Sequence, residues 1–575
     1  MPVQLAYPGV YIQEVPSGVR TITGVATSIT AFVGRADRGD LNTPVTIFSF
    51  ADYERSFGGL SQLSPMSFAV RDFFLNGGTQ AIIVRLFAVK TPATEHPGDS
   101  PYTAQVNFGT DLVLMAASPG IWGTNLRATV DNDVTQAAAD AISTPSTTIV
   151  KGDLFNLTIQ DKQSGAVEVW RNLTFKDSSR RADKVLQAGS KLVVWSKPTI
   201  VSPGTTPAWL GALTKPRLDD TGAAEKQYSD DKQAGASSAT LATDLTNIQT
   251  AITAMQGDDG VALAATNFTA TSPPKTGIYA LDDADLFNLL VIPPYTSTPR
   301  NAASDVTWET DVEQTVMAAA ATYCEKRRAI LLADPPTTWD STSNAQTGGT
   351  DFGASLGTNS KNAAVFFPRL SQPNPFHNNQ FEDFVPSGAV AGVMARTDAQ
   401  RGVWKAPAGL DATLNNVTAL GLALTDDENG LLNPLGLNCL RTIVPAGRIV
   451  WGSRTLQGDD RIASEWKYIP VRRTALFIEE SVFRGTKWVV FEPNDEPLWS
   501  QIRLNVGAFM HSLFIQGAFQ GQSPRDAFFV KCDSTTTTQD DINRGIVNIA
   551  IGFAPLKPAE FVVISLQQMA GQIAA

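Results

Sequence analysis

The sequence predicts a multidomain protein that combines the α/β and α+β classes. Its 575 residues exceed what one hydrophobic core accommodates, and at roughly 150 residues per domain they correspond to about three or four domains. Two regions alternate buried strands with helices, the region between them has a different composition, and the C-terminal region joins an amphipathic helix to alternating strands. These observations predict a mostly parallel sheet covered by helices, an inserted β-rich domain and an α+β C-terminal domain.

The central α/β domain is expected in two pieces, residues 23–110 and residues 277–432. In the first piece, an amphipathic helix ends at Gly77–Gly78 and is followed by Ala81–Phe87, an almost continuous apolar run typical of a buried parallel strand. The second piece repeats this order in three segments: strand Leu286–Pro294, helix Val312–Arg328 and strand Ala329–Pro336. Strands that alternate with helices indicate a parallel sheet.

Residues 111–276 form the predicted insertion. Short β-like pieces alternate there with stretches rich in Ser, Thr, Ala, Gly and Asp, such as residues 229–244. We expect a β-rich domain with exposed loops, inserted where the two chain ends lie close together on the surface of its host.

The C-terminal domain is predicted over residues 433–558, and a strand-forming arm flanks the protein at each end. Residues Leu498–Gly517 carry the apolar spacing of an amphipathic helix. Alternation then predicts a strand from four residues: Val547, Ile549, Ile551 and Phe553. Another strand is expected in the C-terminal arm, residues 559–575, and one at Val10–Val15 in the N-terminal arm, residues 1–22. A lone terminal strand leaves its backbone groups unpaired, so each arm must pair with a sheet elsewhere.

Composition and motifs disfavour several functional classes. The net charge of −11 disfavours nucleic-acid binding. No apolar run approaches the ~18 residues of a membrane-spanning helix, so no direct membrane insertion is expected. Three histidines without metal-ligand spacing, and no phosphate-binding loop, predict no metal, no cofactor and no catalytic site. The GASLG segment around Ser355 has a polar lead-in and is interpreted as a surface loop, not a nucleophile elbow.

Several separate segments resemble, in order and spacing, the tail sheath proteins of contractile phage tails and phage-tail-like contractile injection systems. The resemblance begins at YPGVYIQEV, residues 7–15, and continues through Ala31–Gly59. It is densest in four C-terminal segments: Asn433–Leu456, Trp466–Arg473, Trp488–Asp495 and Phe553–Phe561. Several motifs in family order are more specific than any one of them.

The resemblance implies an architecture. The central domain would have a subtilisin-like topology without protease function, the insertion would face outward, and the C-terminal domain would face an inner tube. The terminal arms would exchange β-strands with neighbouring subunits. The residues implied in this exchange are Val10, Tyr11, Ile12 and Val15 in the N-terminal arm, Phe561, Val562, Val563, Ile564 and Leu566 in the C-terminal arm, and Val547, Ile549, Ile551 and Phe553 in the acceptor sheet. The implied hinge residues are Pro16, Ser17, Gly18 and Gly24.

The resemblance also implies a function. The chain would be a structural sheath subunit that polymerises helically around a tube in a metastable extended state, and contracts by rigid-body rotation to drive the tube through a target envelope. Its partners would be further copies of itself, the inner tail tube protein, the baseplate and the tail terminator. Its place would be a virion tail or phage-tail-like particle assembled in the bacterial cytoplasm.

Two alternatives stay open from the residues, and one set of side chains has two interpretations. The chain could be another self-assembling shell or tube protein, or a subtilisin-like hydrolase that uses Ser355 and His377. The signature arginines Arg454, Arg472 and Arg473 either form ion pairs in the C-terminal core or face an acidic tube.

Overall fold

The structure is a computed structural model that describes residues 20–90, 102–109, 111–195, 206–271, 275–298 and 308–565. The predicted N-terminal strand Val10–Val15, the hinge residues Pro16, Ser17 and Gly18, and Leu566 lie outside the described residues.

The described strands are β1 (Thr30–Arg35), β2 (Val45–Ile47), β3 (Ala81–Leu86), β4 (Gln105–Phe108), β5 (Leu112–Ala116), β6 (Leu126–Asp131), β7 (Leu154–Asp161), β8 (Val167–Thr174), β9 (Val193–Val194), β10 (Arg217–Leu218), β11 (Leu289–Val291), β12 (Thr296–Thr298), β13 (Trp308–Asp311), β14 (Ile330–Ala333), β15 (Ala363–Phe367), β16 (Leu370–Asn374), β17 (Gln380–Phe384), β18 (Ala419–Leu420), β19 (Asn438–Ile443), β20 (Gly447–Val450), β21 (Phe528–Lys531) and β22 (Ala550–Phe553).

The described α-helices are α1 (Phe50–Phe57), α2 (Pro65–Leu75), α3 (Gln136–Ile142), α4 (Ala182–Gly189), α5 (Ala208–Gly211), α6 (Asp220–Gln233), α7 (Ser238–Met255), α8 (Ala265–Thr269), α9 (Gln314–Arg327), α10 (Thr342–Gly349), α11 (Phe352–Leu356), α12 (Ser387–Arg401), α13 (Asp426–Leu432), α14 (Ile469–Gly485), α15 (Glu496–Ile515), α16 (Pro524–Ala527) and α17 (Gln539–Asn543).

An eight-stranded sheet in the order β2-β3-β1-β11-β14-β15-β19-β20 organises the molecule. The six strands from β3 to β19 are parallel, and β2 and β20 pair antiparallel at the two edges. Both faces are covered, as apolar parallel strands require. Along β1, Ala31 and Val33 enter the core that contains α9, whereas Phe32 enters the core that contains α2 and α12. The predicted helix-covered parallel sheet is therefore present.

Helices α2 and α12 lie unusually close on one face of this sheet, and two glycines permit the approach. A Cβ at Gly388 would stand 2.1 Å from the carbonyl oxygen of Ala69, and one at Gly392 would stand 2.4 Å from that of Phe73. Only a residue without a side chain fits at these two positions, which are one helical turn apart.

The polypeptide between the two halves of the large sheet forms two smaller sheets and a helical hairpin. Strands β10-β6-β7-β8 make one antiparallel sheet and β4-β5-β9 another, around a core of their own. The predicted exposed loop at residues 229–244 is wrong, because most of it belongs to α6 and α7. The Ser237 hydroxyl accepts a hydrogen bond from the Thr240 N–H and so caps α7. Four threonine hydroxyls of α7 donate hydrogen bonds to the carbonyl oxygens four residues earlier.

The C-terminal region differs from the prediction at its start. Strands β19 and β20 lie within the predicted C-terminal domain, residues 433–558, but they belong to the large sheet. The first three residues of β19, Asn438–Leu440, are buried, and the strand pairs with β15. The remainder packs α14 and α15 with the two-stranded sheet β21-β22 around a separate core.

Candidate subunit interface

The two-stranded sheet β21-β22 is the first part of the candidate interface. Phe528 lies opposite Phe553 and Lys531 opposite Ala550 in an antiparallel register. Within the described residues, this sheet has no third strand, so each strand keeps an outer edge. Such an edge offers free backbone N–H and C=O groups to an incoming strand.

The four predicted acceptor residues lie together on this sheet and its lead-in. Ile551 and Phe553 belong to β22, whereas Val547 and Ile549 precede it, so the strand is shorter than predicted. All four are half-buried and contact the C-terminal core. The Phe553 ring lies 5.7 Å from that of Phe519.

The C-terminal arm presents apolar side chains to solvent. Phe561, Val562, Val563 and Ile564 are 74%, 82%, 87% and 78% exposed, and residues 561–565 adopt no strand within the described chain. A run of four such residues costs hydrophobic free energy unless another surface covers it. The arm thus carries the apolar pattern of a strand but pairs with no strand among the residues that the structure describes.

The base of the N-terminal arm crosses the same C-terminal region. The Arg20 N–H donates to Asn505 Oδ1 at 3.1 Å, and the Arg20 guanidinium lies 4.5 Å from the Trp488 ring. A Cβ on Gly24 would stand 2.8 Å from the Phe477 ring. Gly24, predicted as a hinge, therefore lies in a tight contact with α14. The first described residues and the start of the C-terminal arm, which follows β22, therefore both adjoin the C-terminal core.

The three signature arginines lie in the interior. Arg454, Arg472 and Arg473 are 0%, 6% and 4% exposed. Arg454 pairs with Glu560 and with Asp460. This burial corresponds to the core-pairing interpretation of these residues, because a tube-facing guanidinium would need exposure.

Each of the other two arginines joins separate elements. Arg472 Nε donates to Asn362 Oδ1 at 2.8 Å. Arg473 donates to Asp398 Oδ1 at 2.9 Å and to the Thr27 carbonyl at 2.9 Å. Arg473 therefore ties the segment after the N-terminal arm to α12.

The residues considered for hydrolysis are not arranged as a triad. Ser355 lies in helix α11, so the predicted loop is wrong, and its hydroxyl donates to the Gly348 carbonyl at 2.7 Å. His377 Nδ1 contacts Glu382 Oε1 at 2.5 Å, and Nε2 contacts Gln62 at 2.8 Å. Both ring nitrogens are thus engaged by residues other than a serine, and a nucleophile needs a free base beside it.

Two further features bear on chemistry. In the described ranges, no cluster of three or more His, Cys, Asp or Glu side chains could hold a metal ion. Among the same residues, no helix combines the length and apolar character needed to cross a bilayer.

Sequence reasoning missed the pairing of Arg454 with Glu560. Arg454 Nε and Nη2 donate to the two carboxylate oxygens at 2.8 and 2.6 Å. The two residues are 106 positions apart, and no local pattern links them. The one available signal is an acidic residue directly before the apolar run of the C-terminal arm.

Comparison with known proteins finds similarity to tail sheath proteins. Residues 463–568 match the phage tail sheath C-terminal domain. A putative prophage major tail sheath protein of Pseudomonas aeruginosa (strain UCBPP-PA14) is 27% identical over 293 residues, which cover 50% of this chain and 67% of the relative. The tail sheath protein of Vibrio phage KVP40 is 25% identical over 189 residues, 32% of this chain and 27% of that protein.

A solved structure shares the fold over nearly the whole chain. It is the sheath complex, in the contracted state, of the extracellular contractile injection system PVC. It has 18% sequence identity and a TM-score of 0.54, and the alignment covers 99% of both chains. The matched proteins are structural tail sheath proteins rather than enzymes. This chain is thus similar to tail sheath proteins in sequence, and to the sheath of a contractile injection system in fold.

Proposed function

We propose that this protein is a contractile sheath subunit that polymerises helically around an inner tube and is tied to its neighbours by strand exchange. The single observation that carries the proposal is the complementary pair of features in one C-terminal unit. An unpartnered apolar arm, Phe561–Ile564, and an open two-stranded sheet, β21-β22, occur in the same chain. An arm of one copy that adds to the sheet of another would give a repeated head-to-tail contact, which builds a helical array when its rotation does not close.

The domain roles follow from this proposal. Residues 23–110 and 277–432, extended by β19 and β20, would form the subtilisin-like central domain. Residues 111–276 would form the outer domain, and residues 433–558 without β19 and β20 would form the inner domain facing the tube. The arms would be residues 1–22 and 559–575, with Val10, Tyr11, Ile12 and Val15 pairing at the N-terminal side.

Contraction is the motion proposed for the assembled sheath. Subunits would start in a metastable extended array and rotate as rigid bodies into a shorter, wider one. The surface newly buried between subunits would supply the free energy. The arms would keep neighbours connected while the other contacts change. The inner tube, the baseplate and the tail terminator would be the remaining partners.

Electron microscopy of the purified protein tests the proposal. We expect the full chain to form long striated cylinders, alone or with a tube protein. A variant that ends at Glu560 should stay monomeric with an unchanged melting temperature, because the residues it removes from Phe561 to Ser565 are exposed. Deletion of residues 1–19 should also abolish cylinders. Cylinders of normal length from either truncated variant would refute strand exchange, and closed shells would favour the alternative of another shell protein.

A further inference from the structure

In the described part of the chain, the hydrogen bonds of one residue, Glu560, hold the C-terminal arm to the rest of its own subunit. Up to Pro555 the chain pairs with its own unit: the Ala554 N–H donates to the Ala527 carbonyl, and the Gln520 N–H donates to that of Ala554. Beyond Pro555, all described hydrogen bonds of residues 556–565 go to Glu560. The segment Leu556–Val562 forms one wall of a cleft of about 940 Å³, so it stands away from the body on one side.

The group that holds Glu560 is a fully buried guanidinium. Arg454 is 0% exposed and donates to both oxygens of the Glu560 carboxylate, at 2.8 and 2.6 Å. Paired, charge-assisted hydrogen bonds of this kind are strong and directional. The Tyr468 hydroxyl adds a donor to the same carboxylate at 3.2 Å.

Release of Glu560 would be unfavourable for Arg454. The remaining carboxylate partner of Arg454 is Asp460, 3.0 Å away and 44% exposed in its side chain, and Lys467 also binds Asp460. A buried charge that loses its closest partner carries a large desolvation penalty. The guanidinium therefore retains Glu560, and with it the start of the arm.

We propose that the Arg454–Glu560 ion pair is an anchor that positions the C-terminal arm for pairing with a neighbouring copy. This inference rests on the proposed strand exchange. Glu560 directly precedes the exposed run Phe561–Ile564, so the anchor fixes the point from which the pairing strand starts. A fixed origin confines the arm to a smaller volume. A smaller volume raises its effective concentration at the acceptor sheet.

The first test measures the anchor in the monomer. Spin labels at Val563→Cys and at Asp427→Cys, an exposed position of α13, report the distance between arm and body by pulsed electron paramagnetic resonance. The three natural cysteines are buried and should label poorly. We expect a narrow distance distribution for the native anchor, a broad one for Glu560→Ala and an intermediate one for Glu560→Asp, which keeps the charge. An equally narrow distribution in Glu560→Ala would overturn the proposal.

The second test measures assembly with the unlabelled chain. Glu560→Ala should reduce the yield of cylinders roughly tenfold to a hundredfold, the range expected for the loss of charge-assisted hydrogen bonds. Asp540→Ala is the matched control, since it removes an exposed ion pair with Arg544 in the same unit and should assemble normally. Normal assembly of Glu560→Ala despite a broadened arm would also refute the proposal. Failure of the native chain to assemble would count against the proposed function, while the distance measurement would still decide whether the anchor exists.

Discussion

Asp334 follows the buried strand β14 and is itself 6% exposed. The N–H and the hydroxyl of Ser387 donate to its two carboxylate oxygens at 3.0 and 2.8 Å. Burial raises the pKa of Asp334 to about 7, although the Ser387 hydrogen bonds and the Arg369 charge favour ionisation. The folded protein therefore binds a proton at this site at pH values where the unfolded chain has already released it.

The sign of the pH effect on stability follows from this raised pKa. Between about pH 4 and pH 7 the folded state holds more protons than the unfolded state, so the contribution of Asp334 to stability falls as pH rises. We expect Asp334→Asn to remove this fall. Across that window, the difference in unfolding free energy between wild type and variant should change by up to about 1.4 kcal/mol per pH unit.

Urea denaturation at several pH values between 4.5 and 7.5 measures this difference. Asp411→Asn, at an exposed position, is the control and should follow the wild type at every pH. Parallel pH profiles for wild type and Asp334→Asn would contradict a raised pKa at this site.

At the scale of elements, the sequence predicts best those strands and helices whose own residues determine their structure. Strand β3 is buried at every position, and its apolar run indicates this directly. Helix α15 buries Leu498, Ile502, Val506 and Leu513, the face that the spacing predicts. In both cases, the local pattern and the tertiary environment agree.

Local sequence patterns do not predict the elements that depend on distant partners in the chain. Helix α7 is mostly exposed and rich in threonine, so its apolar periodicity is weak, and its capping Ser237 resembles any loop serine. Strand β19 joins the large sheet through a contact with β15, more than seventy residues earlier. The buried Arg454 pairs with Glu560, which lies in another segment. Sequence spacing carries no information about such pairings.

The prediction at the scale of elements concerns the backbone of the C-terminal arm. Val563→Pro removes a backbone N–H that a neighbouring strand would use and restricts the backbone. Because Val563 is 87% exposed, we expect the melting temperature of the monomer to stay within about 1 °C of the wild type, as surface changes usually do. Cylinder formation, followed by sedimentation and electron microscopy, should be lost.

Val563→Thr is the matched control, since threonine keeps the N–H and a high strand propensity. It should assemble, with at most a modest loss of yield. Normal assembly of Val563→Pro would show that the backbone of the arm makes no intersubunit ladder at this position.

At the scale of the whole molecule, the inserted region is fastened to the large sheet by buried arginines. Arg85 donates to the carbonyl oxygens of Ala36, Gly39 and Pro119 at 2.7–2.8 Å, and so joins the sheet to the start of the insertion. Arg38 pairs with Asp161 of β7 at 2.9 Å, with side chains only 10% and 4% exposed. A connection of this kind lets the central and inserted regions move together, as the proposed rigid-body contraction would require.

The last prediction concerns the Arg38–Asp161 connection between the central and inserted regions. Arg38→Ala would leave the Asp161 carboxylate buried without its countercharge, so we expect a loss of about 3–5 kcal/mol in the free energy of unfolding. If the insertion, with its separate core, then unfolds independently, calorimetry should resolve a second transition at lower temperature. Arg55→Ala is the control, because the Arg55 side chain in its ion pair with Asp52 is 72% exposed, and solvent-exposed ion pairs contribute little to stability. A single transition at the wild-type temperature for Arg38→Ala would mean that the other contacts alone hold the two regions together.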